Sequence, residues 1–150
     1  MNDKRPRGHV RYDNAGRVVI VTGGASGIGL AVCQAFADSG AHVICADVSE
    51  STDHLPIGVT ARRCDTSDER DCEQAVEATM NQFGAVDVLV NNAAIQPQES
   101  YHPIDQVPTE VWDRMLAVNL SGYTFMAKYV LRQMREAKSG VILNVASGQA

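Results

Sequence analysis

Four consecutive β-branched residues, Val18-Val19-Ile20-Val21, run straight into the turn Thr22-Gly23-Gly24-Ala25-Ser26-Gly27-Ile28-Gly29 and from there into a helical stripe. A strand that is apolar at every position has no face for water and needs cover on both sides, which is the situation inside a parallel sheet. Parallel strands need a crossover, and the segment that follows supplies one. Ile28, Val32, Ala35 and Phe36 fall on one side of a helix predicted over 27–39, and Gly40 stands where a C-terminal cap belongs.

The same alternation continues. Strands are predicted over 42–46, 60–64, 86–90 and 141–145. Thr66 and Glu69 have the spacing of a capping box, and Cys72, Ala75, Val76, Thr79, Met80 and Phe83 then recur at helical spacing until Gly84. Residues 96–108 contain three prolines and read as a loop; a long helical pattern follows over about 109–138, ended by Gly140. Its Trp112, Met115, Phe125, Met126, Tyr129 and Met134 read as core or helix-pairing residues. Strands alternating with helices give an α/β chain with right-handed crossovers. With 150 residues, 45% hydrophobic and 21% charged, one domain with one core is expected.

Charge and composition remove several function classes. Residues 1–17 carry five basic and two acidic side chains, so the rest of the chain holds −8 of the net −5. An acidic body does not suit nucleic acid, which is bound by clustered Lys and Arg. Residues 1–16 read as a flexible tail and 17–150 as the folded domain; the basic start lacks the apolar core of a secretory signal. Mean hydropathy is −0.15 and no run of eighteen apolar residues occurs, so no membrane span is expected. Cys33, Cys45, Cys64 and Cys72 fall in different predicted elements without a C-x-x-C pair, as buried free thiols of a cytoplasmic protein would. His9, His42, His54 and His102 are scattered, and no metal site is expected.

The glycine-rich turn carries the chemistry. Its glycines allow a sharp bend and a close approach, and the N–H groups of the helix start suit a pyrophosphate. Asp47, at the end of the second strand, stands where a carboxylate can bind the ribose hydroxyls of a dinucleotide. No Lys-Ser/Thr follows the glycines, which excludes a Walker P-loop.

T-G-x-x-x-G-x-G, followed by Asn91-Asn92-Ala93-Ala94 after the fourth strand, resembles the short-chain dehydrogenase/reductase family over residues 17–150. The resemblance implies a Rossmann-like doubly wound parallel sheet of which about five strands are present, the C-terminal part of the family fold being absent. It implies cofactor binding by Thr22, Gly23, Ser26, Gly27, Ile28 and Gly29, with Asp47 selecting NAD over NADP by repelling a 2′-phosphate. Asp65 matches the acid that holds the adenine amino group; Asn91 matches a residue holding the sheet and the adenine-side ribose; Ala93 and Ala94 match the lining of the cleft, Ala94 replacing the commoner Gly. Asn119 and Ser147 match catalytic positions, Ser147 as the hydroxyl that stabilises charge on the substrate oxygen. Outside that context these residues have plainer roles: strand-end acid, turn residue, solvent-facing Asn, loop Ser. Asn119 is a poor helix former inside an apolar-patterned helix, a local cost that often marks function.

The family moves its proton with a Tyr whose pKa is lowered by a Lys one helical turn on, and this chain has no Tyr-x-x-x-Lys. Tyr123 and Lys128 are five apart and turn to different sides of a helix. The expectation is an NAD-dependent oxidoreductase acting on a small-molecule alcohol or carbonyl compound, present as a fragment that is inactive alone. A non-catalytic dinucleotide-binding or regulatory module is the alternative. The family's use of the long helix in subunit pairing implies a homo-oligomer, a dimer or tetramer.

Overall fold

The computed structural model describes residues 12–49 and 53–147. Strands β1 (Val18–Thr22), β2 (His42–Asp47), β3 (Val59–Arg63), β4 (Val88–Asn91) and β5 (Val141–Asn144) form one sheet in the order β3-β2-β1-β4-β5. Every pairing is parallel, with Ile20 level with Ile44 on one side and Leu89 on the other. This is the doubly wound, Rossmann-like parallel sheet that the family resemblance implies, with the parallel strands that the strand–helix alternation predicts. The chain leaves β1 outward through β2 and β3, then returns to the far side of β1 for β4 and β5. Connections after β1 and β4 therefore diverge, and a crevice opens at their carboxyl ends.

Both faces of the sheet are covered, as the all-apolar β1 requires. On one face Ile20, Ile44 and Leu89 pack against Cys72 and Val76 of α2 (Glu69–Phe83) and Met126 and Val130 of α4 (Gly122–Ala137). On the other, Val19, Val21, Val43, Val88 and Val90 pack against Cys33, Val32 and Phe36 of α1 (Gly27–Asp38). Each such side chain contributes about 1.5–3 kcal/mol by leaving water. Of the residues read from their spacing as core or helix-pairing, Trp112 is 48% exposed, while Met126 and Met134 are buried.

Three local features differ from the sequence reading. The side chain capping α2 belongs to Asp68, which accepts from the backbone N–H of Arg70 at 2.8 Å, and not to Thr66. Residues 65–68 form a turn closed by Asp68 N–H donating to the Asp65 carbonyl, which delays the helix start by two residues. The 109–138 pattern is α3 (Thr109–Leu116), a π turn (Ala117–Ser121) and α4 in series, ended by Lys138 in the left-handed conformation. The 96–108 stretch holds two 3₁₀ turns, Gln98–Tyr101 and Ile104–Gln106. Of the segment read as a tail, residues 1–11 lie outside the described residues. Its end is pinned, with Asn14 and Gly16 N–H groups donating to the carbonyls of Ser39 and Gly40 at 2.9 and 3.3 Å.

Candidate active site

The crevice is a cleft of about 370 Å³ where the ends of β1, β2, β3 and β4 meet the long helix. Its walls take Gly23, Ser26, Gly27 and Ile28 from the β1–α1 turn, Asp47 from β2, Asp65 and Thr66 from beyond β3, Ala93 and Ala94 from beyond β4, and Arg114 and Val118 from the long helix.

The turn is locked from below. The Thr22 hydroxyl accepts from the N–H groups of Asn92 at 2.9 Å and Ala93 at 3.0 Å. The Asn92 amide donates to the carbonyls of Thr22 and Gly23 at 3.0 and 3.2 Å. A methyl on Gly29 would lie 2.0 Å from the Gly23 carbonyl oxygen, so the helix start rests directly on the turn. Gly27 is the opposite case: at φ +52° its missing side chain would meet nothing within 4 Å. An open backbone at a helix start, facing a cleft, is a fitting cradle for a diphosphate. Ser26 opens α1 in an extended conformation and makes no side-chain cap.

Asp47 straps the same turn, one carboxylate oxygen accepting from the Ala25 N–H at 3.0 Å and the other from the Ser49 N–H at 2.9 Å. The His54 ring nitrogen lies 2.6 Å from the Ala25 carbonyl oxygen, so Ala25 is held from both sides. Asp65 accepts on one oxygen from the Ser67 N–H and hydroxyl, at 3.0 and 2.7 Å, and on the other from Arg114 at 3.0 Å. Burial pushes the Asp65 carboxyl up, and the Ser67 hydrogen bonds together with Arg114 outweigh it, leaving it below its usual value.

The other candidate residues stand behind or beside the cleft. Asn91 is buried at the β4–β5 seam, its amide donating to the Tyr123 carbonyl at 3.2 Å and to the Asn144 side-chain oxygen at 3.0 Å. Asn119 lies in the π turn, where its side chain grips both backbone groups of Ile95: the oxygen accepts at 2.8 Å and the amide donates at 2.9 Å. π turns inside helices recur at functional sites, and here the extra residue presents Asn119 to the β4 loop. Ser147 is exposed beyond β5 and does not line the cleft. The backbone before it is fixed, with Tyr123 donating to the Val145 carbonyl at 3.0 Å and the Val145 N–H to the Asn91 carbonyl at 2.9 Å. Asn92 and Arg114 were not singled out in the sequence. Asn92 had a signal in the Asn-Asn pair; Arg114 had none.

The four thiols are buried and free, but they are not isolated. The sulfurs of Cys33 and Cys45 both lie 2.9 Å from the point where a Gly24 side chain would begin, so the separate elements bring them together. The hydrogen bond with the neighbouring Cys33 thiol, and then burial, push the Cys45 thiol up. No group of three or more His, Cys, Asp or Glu among the described residues converges as a metal site. No helix among them is long and apolar enough to cross a membrane.

Comparison with known proteins agrees with this geometry. The model of the short chain dehydrogenase family matches residues 17–150. The chain is 40% identical over 144 residues to 2-(R)-hydroxypropyl-CoM dehydrogenase of Xanthobacter autotrophicus, covering 87% of this chain and 56% of that protein. It is 36% identical over 143 residues to D-threitol dehydrogenase of Mycolicibacterium smegmatis, covering 90% and 54%. Among solved structures, that of gox2181 superposes with a TM-score of 0.82 at 34% identity, covering 91% of this chain and 55% of that one. The chain thus spans about half the length of the relatives it matches. The chain, whose glycine turn builds a cleft at the sheet's switch point and which matches the family model throughout residues 17–150, belongs to the short-chain dehydrogenase/reductase family of oxidoreductases.

Proposed function

We propose that this chain is the cofactor-binding part of an NAD-dependent oxidoreductase acting on a small-molecule alcohol or its carbonyl counterpart. The observation that carries the NAD choice is Asp47 in the cleft wall together with the state of the only cation there. Among the described residues lining the cleft, Arg114 alone is basic, and it is committed to Asp65. A 2′-phosphate beside Asp47 would meet like charge with no free cation to offset it. Ribose hydroxyls, by contrast, can donate to the lone pairs that Ala25 and Ser49 leave open.

Gly27, Ser26 and the first N–H groups of α1 would seat the diphosphate, Ile28 and Ala94 would flank it, and Asp65 would receive the adenine amino group. NAD, when bound, exchanges the hydride. Asn119 holds the β4 loop at Ile95, and Ser147 would donate a hydrogen bond to the substrate oxygen. The alcohol class follows from relatives named for hydroxypropyl-CoM and threitol. The absence of a Tyr-x-x-x-Lys pair in the sequence leaves the 150-residue chain without a proton donor, so by itself it should bind cofactor without turnover. The second reading is a non-catalytic dinucleotide-binding or regulatory module, against which Asn119 and Ser147 stand because a pure binder has no use for them. Buried free thiols fit a reducing, cytoplasmic setting.

Calorimetric titration tests the proposal. NAD should bind more tightly than NADP, and Asp47→Ala should narrow the difference. Equal or tighter binding of NADP by the unaltered chain would overturn the NAD assignment.

A further inference from the structure

We propose that Arg114 is the residue by which this chain selects a 6-aminopurine at the far end of its cleft: it acts as a positioning residue that leaves Asp65 with a single open acceptor. The inference rests on the dinucleotide reading above and adds to it a residue and a base selectivity. An ionised carboxylate offers about four acceptor sites. On Asp65 the Ser67 N–H and hydroxyl take both sites of one oxygen, and Arg114 takes one site of the other. Arg114 also donates to the Ser67 hydroxyl, closing a ring of three side chains that fixes the carboxylate in rotation. One acceptor remains, on the oxygen that Arg114 holds, and Asp65 and Arg114 both line the cleft.

A single anionic acceptor rewards an N–H donor and repels a carbonyl oxygen. Adenine and hypoxanthine differ in that respect, having an amino group or a carbonyl at C6. Val118, four residues after Arg114 and on the same face of the long helix, also lines the cleft and offers an apolar contact for a flat ring. The guanidinium plane supplies a second surface on which such a ring stacks. Without Arg114 the carboxylate regains a free site and its rotation, and a re-oriented acid no longer holds one acceptor against the base edge, so the two bases are less well distinguished.

The test titrates the 150-residue chain with NAD, with its hypoxanthine analogue and with nicotinamide mononucleotide, which has no purine. The chain should prefer NAD to the analogue by about tenfold, the scale of one hydrogen bond to a charged group. Arg114→Ala should weaken NAD by about as much, leave nicotinamide mononucleotide unchanged and bring the ratio of the two dinucleotides toward one. Arg114→Lys, which keeps the charge but not the two-pronged donor, should restore only part of the ratio. An unchanged ratio in Arg114→Ala overturns the inference while leaving dinucleotide binding intact. Equal loss for all three ligands also overturns it, because it marks a general effect on the fold. Ser67→Ala, which opens the other carboxylate oxygen, should lower the ratio as well; if it and Arg114→Ala both leave it untouched, Asp65 does not read the base. Failure of the unaltered chain to bind any of the three would instead remove the dinucleotide reading, and this inference with it.

Discussion

At the residue scale, the glycines of the β1–α1 turn do two different jobs that the sequence writes with the same letter. Gly29 is excluded from carrying a side chain by contact, its added carbon lying 2.0 Å from the Gly23 carbonyl oxygen and 2.6 Å from the Asn92 amide nitrogen. Gly27 is excluded by conformation and by what the cleft must admit, since its φ is +52° and the space beside it is open. Gly29→Ala should therefore cost about 1–3 kcal/mol by overpacking, a fall in Tm of several degrees. Gly27→Ala should cost about 1–2 kcal/mol in backbone strain and lose most of the NAD affinity. Thermal melts with and without NAD check this: Gly29→Ala should have the lower melting temperature, and a Gly27→Ala chain that NAD stabilises as well as the original would refute the second half. The glycine pattern was legible in the sequence because its residues are neighbours. Asn92 acts across 70 positions on Thr22, and Arg114 across 49 on Asp65, so although the Asn-Asn pair marks Asn92, no local spacing signals what either residue holds.

At the scale of elements, apolar periodicity located the helices well and their ends poorly. A T-x-x-E pattern at Thr66 and Glu69 has the spacing of a capping box, but Asp65 draws the Ser67 N–H into a tighter turn and passes the cap to Asp68. Glu69 turns away to Lys128 and Tyr129 of α4, tying the two helices at 2.6 and 3.1 Å. Asp68→Ala should then cost about 1 kcal/mol, the usual worth of an N-cap, lowering Tm by roughly 2–4 °C in a chain of this size. Thr66 caps nothing; it is buried, and a side chain on Gly122 would meet its carbonyl oxygen at 2.8 Å. Thr66→Ser keeps the hydroxyl and removes one methyl, so its effect should be that of a small cavity. An unchanged melting temperature in Asp68→Ala would return the cap to Thr66. The π turn leaves little mark on periodicity because Val118 within it and Gly122, Met126, Val130 and Met134 after it are buried at a constant spacing of four, so the buried stripe begins in the turn and continues unbroken along α4.

At the scale of the whole molecule, a parallel α/β sheet was implied by alternation, but the strand order, and with it which strand lies at which edge, was not, since that depends on where the chain reverses about β1. Two consequences follow from the edges and from charge. The Asp65 carboxyl is depressed in the folded state, so its contribution to stability is present above its unfolded value of about 3.9 and is lost as pH falls through the lower folded value. Acid titration of the melting temperature should steepen below about pH 4, and Asp65→Asn should flatten that limb; an unaltered limb would detach Asp65 from acid stability. The two edges differ in how they are guarded. β3 carries Arg62 and Arg63, with Arg63 paired to Asp71 at 3.2 Å, and charge on an edge resists further strand pairing. β5 is Val-Ile-Leu-Asn without charge, and Val141 and Leu143 are 46% and 48% exposed. Among the described residues its outer side has no strand partner, so a second copy can extend the sheet there about a two-fold axis. Sedimentation velocity over a range of concentrations should show the 150-residue chain associating, and Leu143→Lys should return it to 16.2 kDa with little change in melting temperature, because the replaced side chain is half in water already. A chain that stays at 16.2 kDa at every concentration would refute the association, and a Leu143→Lys variant that associates as before would place the adhesive surface away from β5.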